Sequence, residues 1–291
     1  MKRIWLLLAV SVTLFATEAL VDVRWLAEEM KKNKKIVVLD VSDNELYKEG
    51  HIPGSLNSPI ANWREKHGNF LLVKEKEAIQ KEFERLGIMT DSYVVVYSHH
   101  NSIKDFLKAS YVLWAMEYYG LKKSSMLDGG MVAWREMGAP LEMQTSKATN
   151  RGDFRVRADK SLVADMQFVK QNIGRANMID ARPSMYYFGA QKQAALAKAG
   201  HIPKAKSYFW RYSFKGDYLK SKEKLKEMLV DGLGLDPKRS TITYCTGGLE
   251  TSMNFFVLHR ILGFEKIRLY DASMKEWANS KSTPMQKYKW E

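Results

Sequence analysis

The sequence predicts an α/β protein built from two tandem domains, each with a mostly parallel sheet and helices on both faces. Its 291 residues, 45% of them hydrophobic, suit two domains of roughly 100–150 residues each. One series of motifs also occurs twice in the same order. Within each copy, short apolar strands alternate with longer helical patterns, which is typical of βαβ units around a parallel sheet.

The repeated motifs run from an apolar strand, through a Gly-His-Ile-Pro turn, to a tryptophan near the end of each copy. In the first copy they are strand 37–41, turn 50–53, helix 74–86, strand 93–97, helix 106–119 and motif 127–134. In the second they are strand 177–181, turn 200–203, helix 221–233, strand 240–244, helix 252–262 and motif 269–277. So many landmarks in one order indicate a tandem duplication.

The repeat gives a division of the chain into four parts. These are an export signal at 1–19, a first domain at 20–142, a linker at 143–157 and a second domain at 158–291. The linker region is polar, charged and weakly periodic, as expected of a connection between domains.

The N-terminus has the features of a signal peptide. Lys2 and Arg3 precede an apolar run at 4–16, and small residues at Ala16 and Ala19 are suitable for cleavage. The run is shorter than the ~20 residues of a membrane-spanning helix, although an uncleaved anchor is the alternative. We expect a periplasmic protein with no stable membrane span after cleavage.

Composition narrows the possible partners. The formal net charge is +13, but lysine and arginine are spread along the chain and no nucleic-acid-binding motif occurs, so small anionic substrates are preferred to nucleic acid. A single cysteine cannot form an internal disulfide or a Cys-rich metal site. The adjacent His99 and His100 lack further nearby ligands. We therefore expect no metal and no cofactor.

The cysteine itself is placed for chemistry. Cys245 directly follows strand 240–244 and opens a loop that leads into a helix near Thr251 or Ser252. A loop between a strand and a helix can direct successive backbone N–H groups inward and bind an anion, and Gly247 and Gly248 permit so tight a turn. This setting predicts a stabilised thiolate and a lowered pKa for Cys245.

Taken together, these motifs resemble the rhodanese family, specifically its two-domain sulfurtransferases for thiosulfate and 3-mercaptopyruvate. The resemblance extends from about residue 21 to the end, and rests on the duplicated Gly-His-Ile-Pro turns, Asp180-Ala181-Arg182, Tyr244-Cys245 and the closing motif. It implies that Cys245 takes sulfur from a small anionic donor as a persulfide and passes it to a thiophilic acceptor such as cyanide or a thiol.

The resemblance also implies the residues of the site. Cys245 is the catalytic residue, and Arg182 matches the arginine that binds the substrate. The remaining loop residues would surround the bound substrate: Thr246, Gly247, Gly248, Leu249 and Glu250. The first copy has Ser98 in place of the cysteine, which agrees with an inactive first domain.

Glu250 departs from the family pattern, which has arginine or threonine at this position of the loop. A carboxylate that faces the loop interior would oppose both the thiolate and an anionic donor. The alternatives are that Glu250 points outward, that it pairs with a cation, or that Thr251 takes its place through a shifted register.

Three other functions compete with sulfur transfer, and a second donor competes with thiosulfate. Phosphatases of the Cys-x5-Arg type would need arginine where Thr251 stands, and disulfide exchange would need a second cysteine. A periplasmic sulfur carrier that loads once without turnover stays open, as does a 3-mercaptopyruvate sulfurtransferase.

Overall fold

The computed structural model describes residues 18–102 and 104–291, so residues 1–17 of the predicted signal lie outside it. The first domain contains strands β1 Leu20–Val21, β2 Ile36–Asp40, β3 Leu56–Asn57, β4 Arg64–His67, β5 Phe70–Val73, β6 Tyr93–Tyr97 and β7 Ser124–Leu127. The second contains β8 Asn177–Asp180, β9 Lys206–Ser207, β10 Phe214–Lys215, β11 Tyr218–Leu219, β12 Thr241–Tyr244 and β13 Ile267–Leu269. The exact domain boundaries stay predictions.

Helices alternate with these strands in both domains. The first has α1 Val23–Lys32, α2 Asn44–Lys48, α3 Lys76–Arg85, α4 Asp105–Tyr118 and α5 Gly130–Glu136. The second has α6 Met166–Gln171, α7 Ser184–Phe188, α8 Lys222–Lys226, α9 Leu249–Phe256 and α10 Ser273–Trp277. Short 3₁₀ turns lie at Ile60–Asn62, Lys160–Leu162 and Trp210–Ser213, and π turns extend α8 and α9.

Each domain is organised around one parallel sheet. The strand order is β1-β7-β6-β2-β3 in the first domain and β13-β12-β8-β9 in the second. Asp40 pairs with Tyr97 in the first sheet as Asp180 pairs with Tyr244 in the second. The two copies therefore share one topology, which confirms the predicted α/β fold with two similar sheets.

Side chains alternate across each sheet and bury both faces. In β6, Val94 and Val96 pack in the core that contains α3 and α4, whereas Val95 and Tyr97 pack with α1 and α5. This alternation is the period of two that a strand requires. Helices consequently cover both faces of the first sheet, as the sequence predicted.

The two domains share one hydrophobic core at their contact. Helices α4 and α9 pack against each other, with Ser110 Oγ and Ser252 Oγ 2.8 Å apart. Two small antiparallel hairpins, β4–β5 and β10–β11, each reach across to the other domain: Val73 N–H donates to Asp271 Oδ2 at 2.8 Å, and Leu219 N–H donates to Asp128 Oδ1 at 3.0 Å. Each domain thus contributes one hairpin, and the two hairpins make equivalent hydrogen bonds to an aspartate of the other domain.

Some local elements differ from the sequence prediction. The helix after the cysteine begins at Leu249, earlier than Thr251 or Ser252, because Gly248 adopts φ +86° and forms its N-cap. The two hairpins were not predicted. Within residues 18–102 and 104–291, no helix has both the length and the apolar character needed to cross a membrane.

Candidate active site

Cys245 lies at the carboxyl end of β12, which is one of the two central strands of the second sheet. Its side chain is buried, with 1% of its surface exposed. Its N–H donates to Ser273 Oγ at 3.1 Å, and its carbonyl accepts from Met274 N–H at 3.0 Å. Both contacts come from the first two residues of α10, so the start of this helix fixes the backbone of the cysteine.

The loop after Cys245 curls around the sulfur and leads directly into α9. The backbone N–H groups of Gly247, Glu250 and Thr251 face the sulfur and favour its ionised form. Convergent amides at the start of a helix form a site for an anion. The loop is thus built to hold negative charge on Cys245 or on a sulfur attached to it.

Gly248 is the position at which this turn depends on glycine. Its φ is +86°, and an added Cβ would overlap the Asp271 carboxylate, lie 2.6 Å from the Asp271 carbonyl oxygen and 3.0 Å from Arg64 Nη2. Side chains are strained at such a φ, and here there is also no space for one.

Gly248→Ala is therefore expected to lower the free energy of unfolding by more than about 1 kcal/mol. Gly247→Ala is the matched control, since its Cβ would come no closer than 3.4 Å to Lys275 Cδ. Urea unfolding of the two variants checks this. Equal stability of both would contradict the geometry described for the loop.

A cavity of about 470 Å³ opens above Cys245 between the two domains. Its walls are formed by loop residues, apolar side chains and two lysines: Lys104, Leu107, Pro183, Gln193, Phe209, Trp210, Cys245, Thr246, Gly247, Leu249, Glu250 and Lys275. Gln193 Oε1 accepts a hydrogen bond from Thr246 Oγ1 at 2.7 Å. The cavity brings Cys245, Thr246, Gly247, Leu249 and Glu250 together, as predicted from the loop, while Gly248 is buried beneath it.

Glu250 faces this cavity. The side chain is largely buried, and its Oε2 has no hydrogen-bond partner among the residues that the structure describes. Burial raises the pKa of Glu250, and the Asp180 carboxylate acts in the same direction, whereas the Thr246 N–H and Arg182 oppose the rise. The carboxylate therefore faces the loop interior and acts on the cysteine, the unfavourable orientation that the three sequence-based alternatives would have avoided.

The thiol has a raised pKa. Burial raises the pKa of Cys245 to about 12, and the negative charge of Glu250 contributes in the same direction, although the loop N–H groups lower it. The prediction of a lowered pKa was therefore wrong. Desolvation and a like charge outweigh three favourable amides at this site.

Arg182 is buried behind the cavity wall. Its Nε and Nη2 bind the Asp180 carboxylate at 2.9 and 2.6 Å, and Nη2 also donates to the Gly200 carbonyl at 2.7 Å. Burial alone would lower the pKa of Arg182, but Asp180 raises it and Cys245 adds to the rise. The positive charge of the guanidinium thus favours the ionised form of the Cys245 sulfur. Direct binding of the substrate by Arg182 stays a prediction.

The corresponding position in the first domain holds different chemistry. The Ser98 carbonyl accepts from Met131 N–H at 3.0 Å, the same contact that Cys245 makes with Met274. His99 Nε2 lies 3.0 Å from Asp40 Oδ2, fully buried, and burial lowers the pKa of His100 to about 4. In the described part of the chain, no group of three or more His, Cys, Asp or Glu side chains could hold a metal ion.

Four polar residues of the site were not found from the sequence, nor were the apolar side chains of the cavity wall. Ser273 anchors the cysteine N–H, and Lys104, Gln193 and Lys275 line the cavity. Lys275 could have been found, because it follows the end of β13 in the duplicated closing motif. Lys104 and Gln193 come from loops that carry no motif.

The comparison with known proteins agrees with this arrangement. A model of the rhodanese-like domain matches residues 22–137 and again residues 165–280. The chain belongs to the rhodanese family. It is 30% identical to a protein of Synechococcus elongatus named "Putative thiosulfate sulfurtransferase", over 91% of this chain and 84% of that one. It is 31% identical to the sulfur carrier protein TtuD of Thermus thermophilus, over 93% and 97% of the two chains.

Solved structures share the rhodanese fold. The 3-mercaptopyruvate sulfurtransferase SseA of Escherichia coli superimposes with a TM-score of 0.77 at 23% identity, over 88% of this chain and 99% of that one. The anaerobic ergothioneine biosynthesis enzyme of Chlorobium limicola gives 0.81 at 19% identity, over 92% and 70%. At these identities the likeness establishes the fold.

Proposed function

We propose that this protein is a sulfurtransferase in which Cys245 carries sulfane sulfur as a persulfide. The donor is thiosulfate or a similar small anion, and the acceptor is a thiophile such as cyanide or a thiol. The observation that carries the proposal is the position of the chain's single thiol, at the base of a cavity and beneath three backbone N–H groups. The family and the name of the Synechococcus relative support it.

The reaction has two displacements at sulfur. Once the thiol has released its proton, the thiolate attacks the outer sulfur of thiosulfate, an S–S bond forms, and the donor's S–S bond breaks with its electron pair leaving on sulfite. Cyanide then attacks the outer sulfur of the persulfide, and thiocyanate leaves as the Cys245 thiolate is restored. This is covalent catalysis with ping-pong kinetics.

The residues around the cysteine have three different effects on the reaction. The N–H groups of Gly247, Glu250 and Thr251 stabilise the thiolate and then the persulfide, as fixed donors do for localised charge. Lys104 and Lys275 attract an anionic donor into the cavity. Glu250 opposes both effects, so it limits reaction with a dianion such as thiosulfate.

A sulfur carrier that loads once is the second candidate, because Glu250 faces the thiol and the relative TtuD is named a sulfur carrier protein. Steady-state assays with thiosulfate and cyanide separate the two functions. A sulfurtransferase releases many equivalents of sulfite and thiocyanate per protein. A carrier would release about one equivalent of sulfite and then stop.

The donor is tested by the same assay with 3-mercaptopyruvate, which would leave as pyruvate after its C–S bond breaks. Because 3-mercaptopyruvate carries one negative charge where thiosulfate carries two, Glu250 should disfavour it less. A higher kcat/KM with 3-mercaptopyruvate would make it the preferred donor of the two.

We also propose that the signal predicted at 1–19 directs export to the periplasm, with cleavage at the earlier of its two candidate positions, after Ala16. The charged and apolar pattern supports this, and cleavage after Ala16 would keep the hydrogen bond that the Ala19 carbonyl accepts from Met126 N–H at 2.9 Å. N-terminal sequencing of protein from a periplasmic extract should begin at Thr17. An intact Met1 on soluble cytosolic protein would overturn the proposal.

A further inference from the structure

An arginine of the first domain binds the cysteine loop of the second. Arg64, the first residue of β4, donates from Nη2 to the Gly247 carbonyl at 2.6 Å and to the Leu71 carbonyl at 2.8 Å. Its side chain is 7% exposed. A buried cation thus joins the tip of the hairpin's second strand to the loop that surrounds the sulfur.

The position of Arg64 is fixed by a buried carboxylate. Nη2 lies 3.4 Å from Asp271 Oδ1, while Tyr111 O–H and Val73 N–H each donate to Asp271 Oδ2 at 2.8 Å. The guanidinium also stacks 4.5 Å above the centre of the Tyr111 ring. A charged group held from several sides loses little further entropy on binding the loop.

The equivalent hairpin of the second domain docks on the first domain without an arginine at the corresponding position. Val73 and Leu219 make equivalent hydrogen bonds across the domain boundary, and Arg64 and Phe214 occupy equivalent register positions opposite them. Phe214 packs edge-on against Phe106, 5.1 Å between ring centres, beside the loop that lacks a cysteine. The arginine is found on the hairpin that meets the cysteine loop.

The contact with the Gly247 carbonyl has a consequence for the loop amides. In a trans peptide the C=O and the following N–H point in opposite directions, so the bond to the Gly247 carbonyl fixes the rotation of the peptide that joins Gly247 to Gly248, which lies in the chain between the Gly247 and Glu250 amides. Two consecutive glycines would otherwise leave the loop with many accessible conformations. Arg64 therefore restricts the segment that must keep three N–H groups directed at the sulfur.

We propose that Arg64 is a positioning residue, which holds the cysteine loop of the second domain in the conformation that stabilises a charged sulfur. The proposal rests on the proposed function in so far as Cys245 is the sulfur-carrying residue. Through this contact the first domain would influence the reactivity of the cysteine in the second.

Arg64→Met and Arg64→Lys test this proposal, with the pH profile of Cys245 alkylation by iodoacetamide and the single-turnover rate of persulfide loading as readouts. We expect Arg64→Met to slow both about tenfold at neutral pH, the equivalent of one unit in the thiol pKa, and to move the profile to higher pH. Arg64→Lys, which keeps the charge but has one donor nitrogen in place of the guanidinium, should lie between this variant and the wild type.

Arg85→Met is the matched control. Arg85 also lies in the first domain, pairs with Glu82 at 2.6 Å and donates to the Asn57 carbonyl at 2.9 Å, away from the cysteine loop. It should lose stability without a change in alkylation or loading. If Arg64→Met does not fold, Arg64→Lys must still show the slower alkylation.

Wild-type alkylation profiles in folded Arg64 variants would overturn the proposal, as would equal effects of the Arg64 and Arg85 variants. Alkylation does not depend on sulfur transfer. A wild-type protein that fails to load sulfur would therefore defeat the proposed function while the alkylation data still decide the role of Arg64.

Discussion

Cys245→Ser is expected to abolish sulfite release from thiosulfate and thiocyanate formation with cyanide. A hydroxyl cannot accept and return a sulfur atom, and the chain has no second cysteine to substitute for it. Because the serine hydroxyl fits the space of the buried thiol, the fold should persist. Both products are measured by steady-state assay, and thermal unfolding verifies that the variant is folded.

Cys245→Ala serves as a second inactive variant that cannot place a hydroxyl beneath the loop amides. The two variants should be equally inactive, since neither can form a persulfide. Residual turnover above the uncatalysed rate in either would mean that sulfur passes through the cavity without a covalent intermediate on Cys245.

Glu250→Gln should make Cys245 more reactive. The carboxylate faces the buried thiol and raises its pKa, so an uncharged amide of the same size should lower that pKa and speed loading by thiosulfate. Each unit by which the thiol pKa falls is worth about tenfold in thiolate at neutral pH. Thiosulfate should also bind more tightly, because a like charge has been removed from beside a dianion.

The effect has a definite pH dependence. Glu250 has a raised pKa, and it repels the thiolate while it is ionised, so the difference between Glu250→Gln and the wild type is present above this pKa. As the pH falls through it, the wild-type carboxyl becomes neutral and the two rates should converge. The control is Glu223→Gln, which removes the same negative charge from an exposed position on α8. This variant should leave the profile unchanged.

Slower loading in Glu250→Gln would contradict this account, because it would make Glu250 the acceptor of the thiol proton. An unchanged rate at all pH values would show that the carboxylate does not influence the sulfur. Faster loading by thiosulfate would indicate that the natural protein is adapted to a less charged donor or to carrying sulfur.

The sequence predicted the duplicated sheets because their signals are local. Strand 93–97 has the bounds of β6, and the cysteine directly follows β12, as expected from short apolar runs that end in loops. The hairpins were missed because β10 and β11 have two residues each and β4 is Arg-Glu-Lys-His, without an apolar alternation. They are stabilised by contacts with the other domain, which sequence periodicity does not report.

The part of the site that lies within one continuous segment of the chain could be predicted from the sequence. The loop 245–250 could be recognised from its own residues, but the raised pKa of Cys245 depends on the orientation of Glu250 and on burial, which the spacing of residues does not give. Arg64 belongs to a different domain from the loop that it binds. Such contacts between distant segments follow from the tertiary fold.

The most direct test of the account is the intact mass of the wild-type protein after incubation with thiosulfate and removal of the excess donor. We predict a gain of one sulfur atom, which fragment analysis places on Cys245 and which cyanide removes as one equivalent of thiocyanate. A protein that releases sulfite but stays at its original mass, or that carries the added sulfur elsewhere than Cys245, would contradict it.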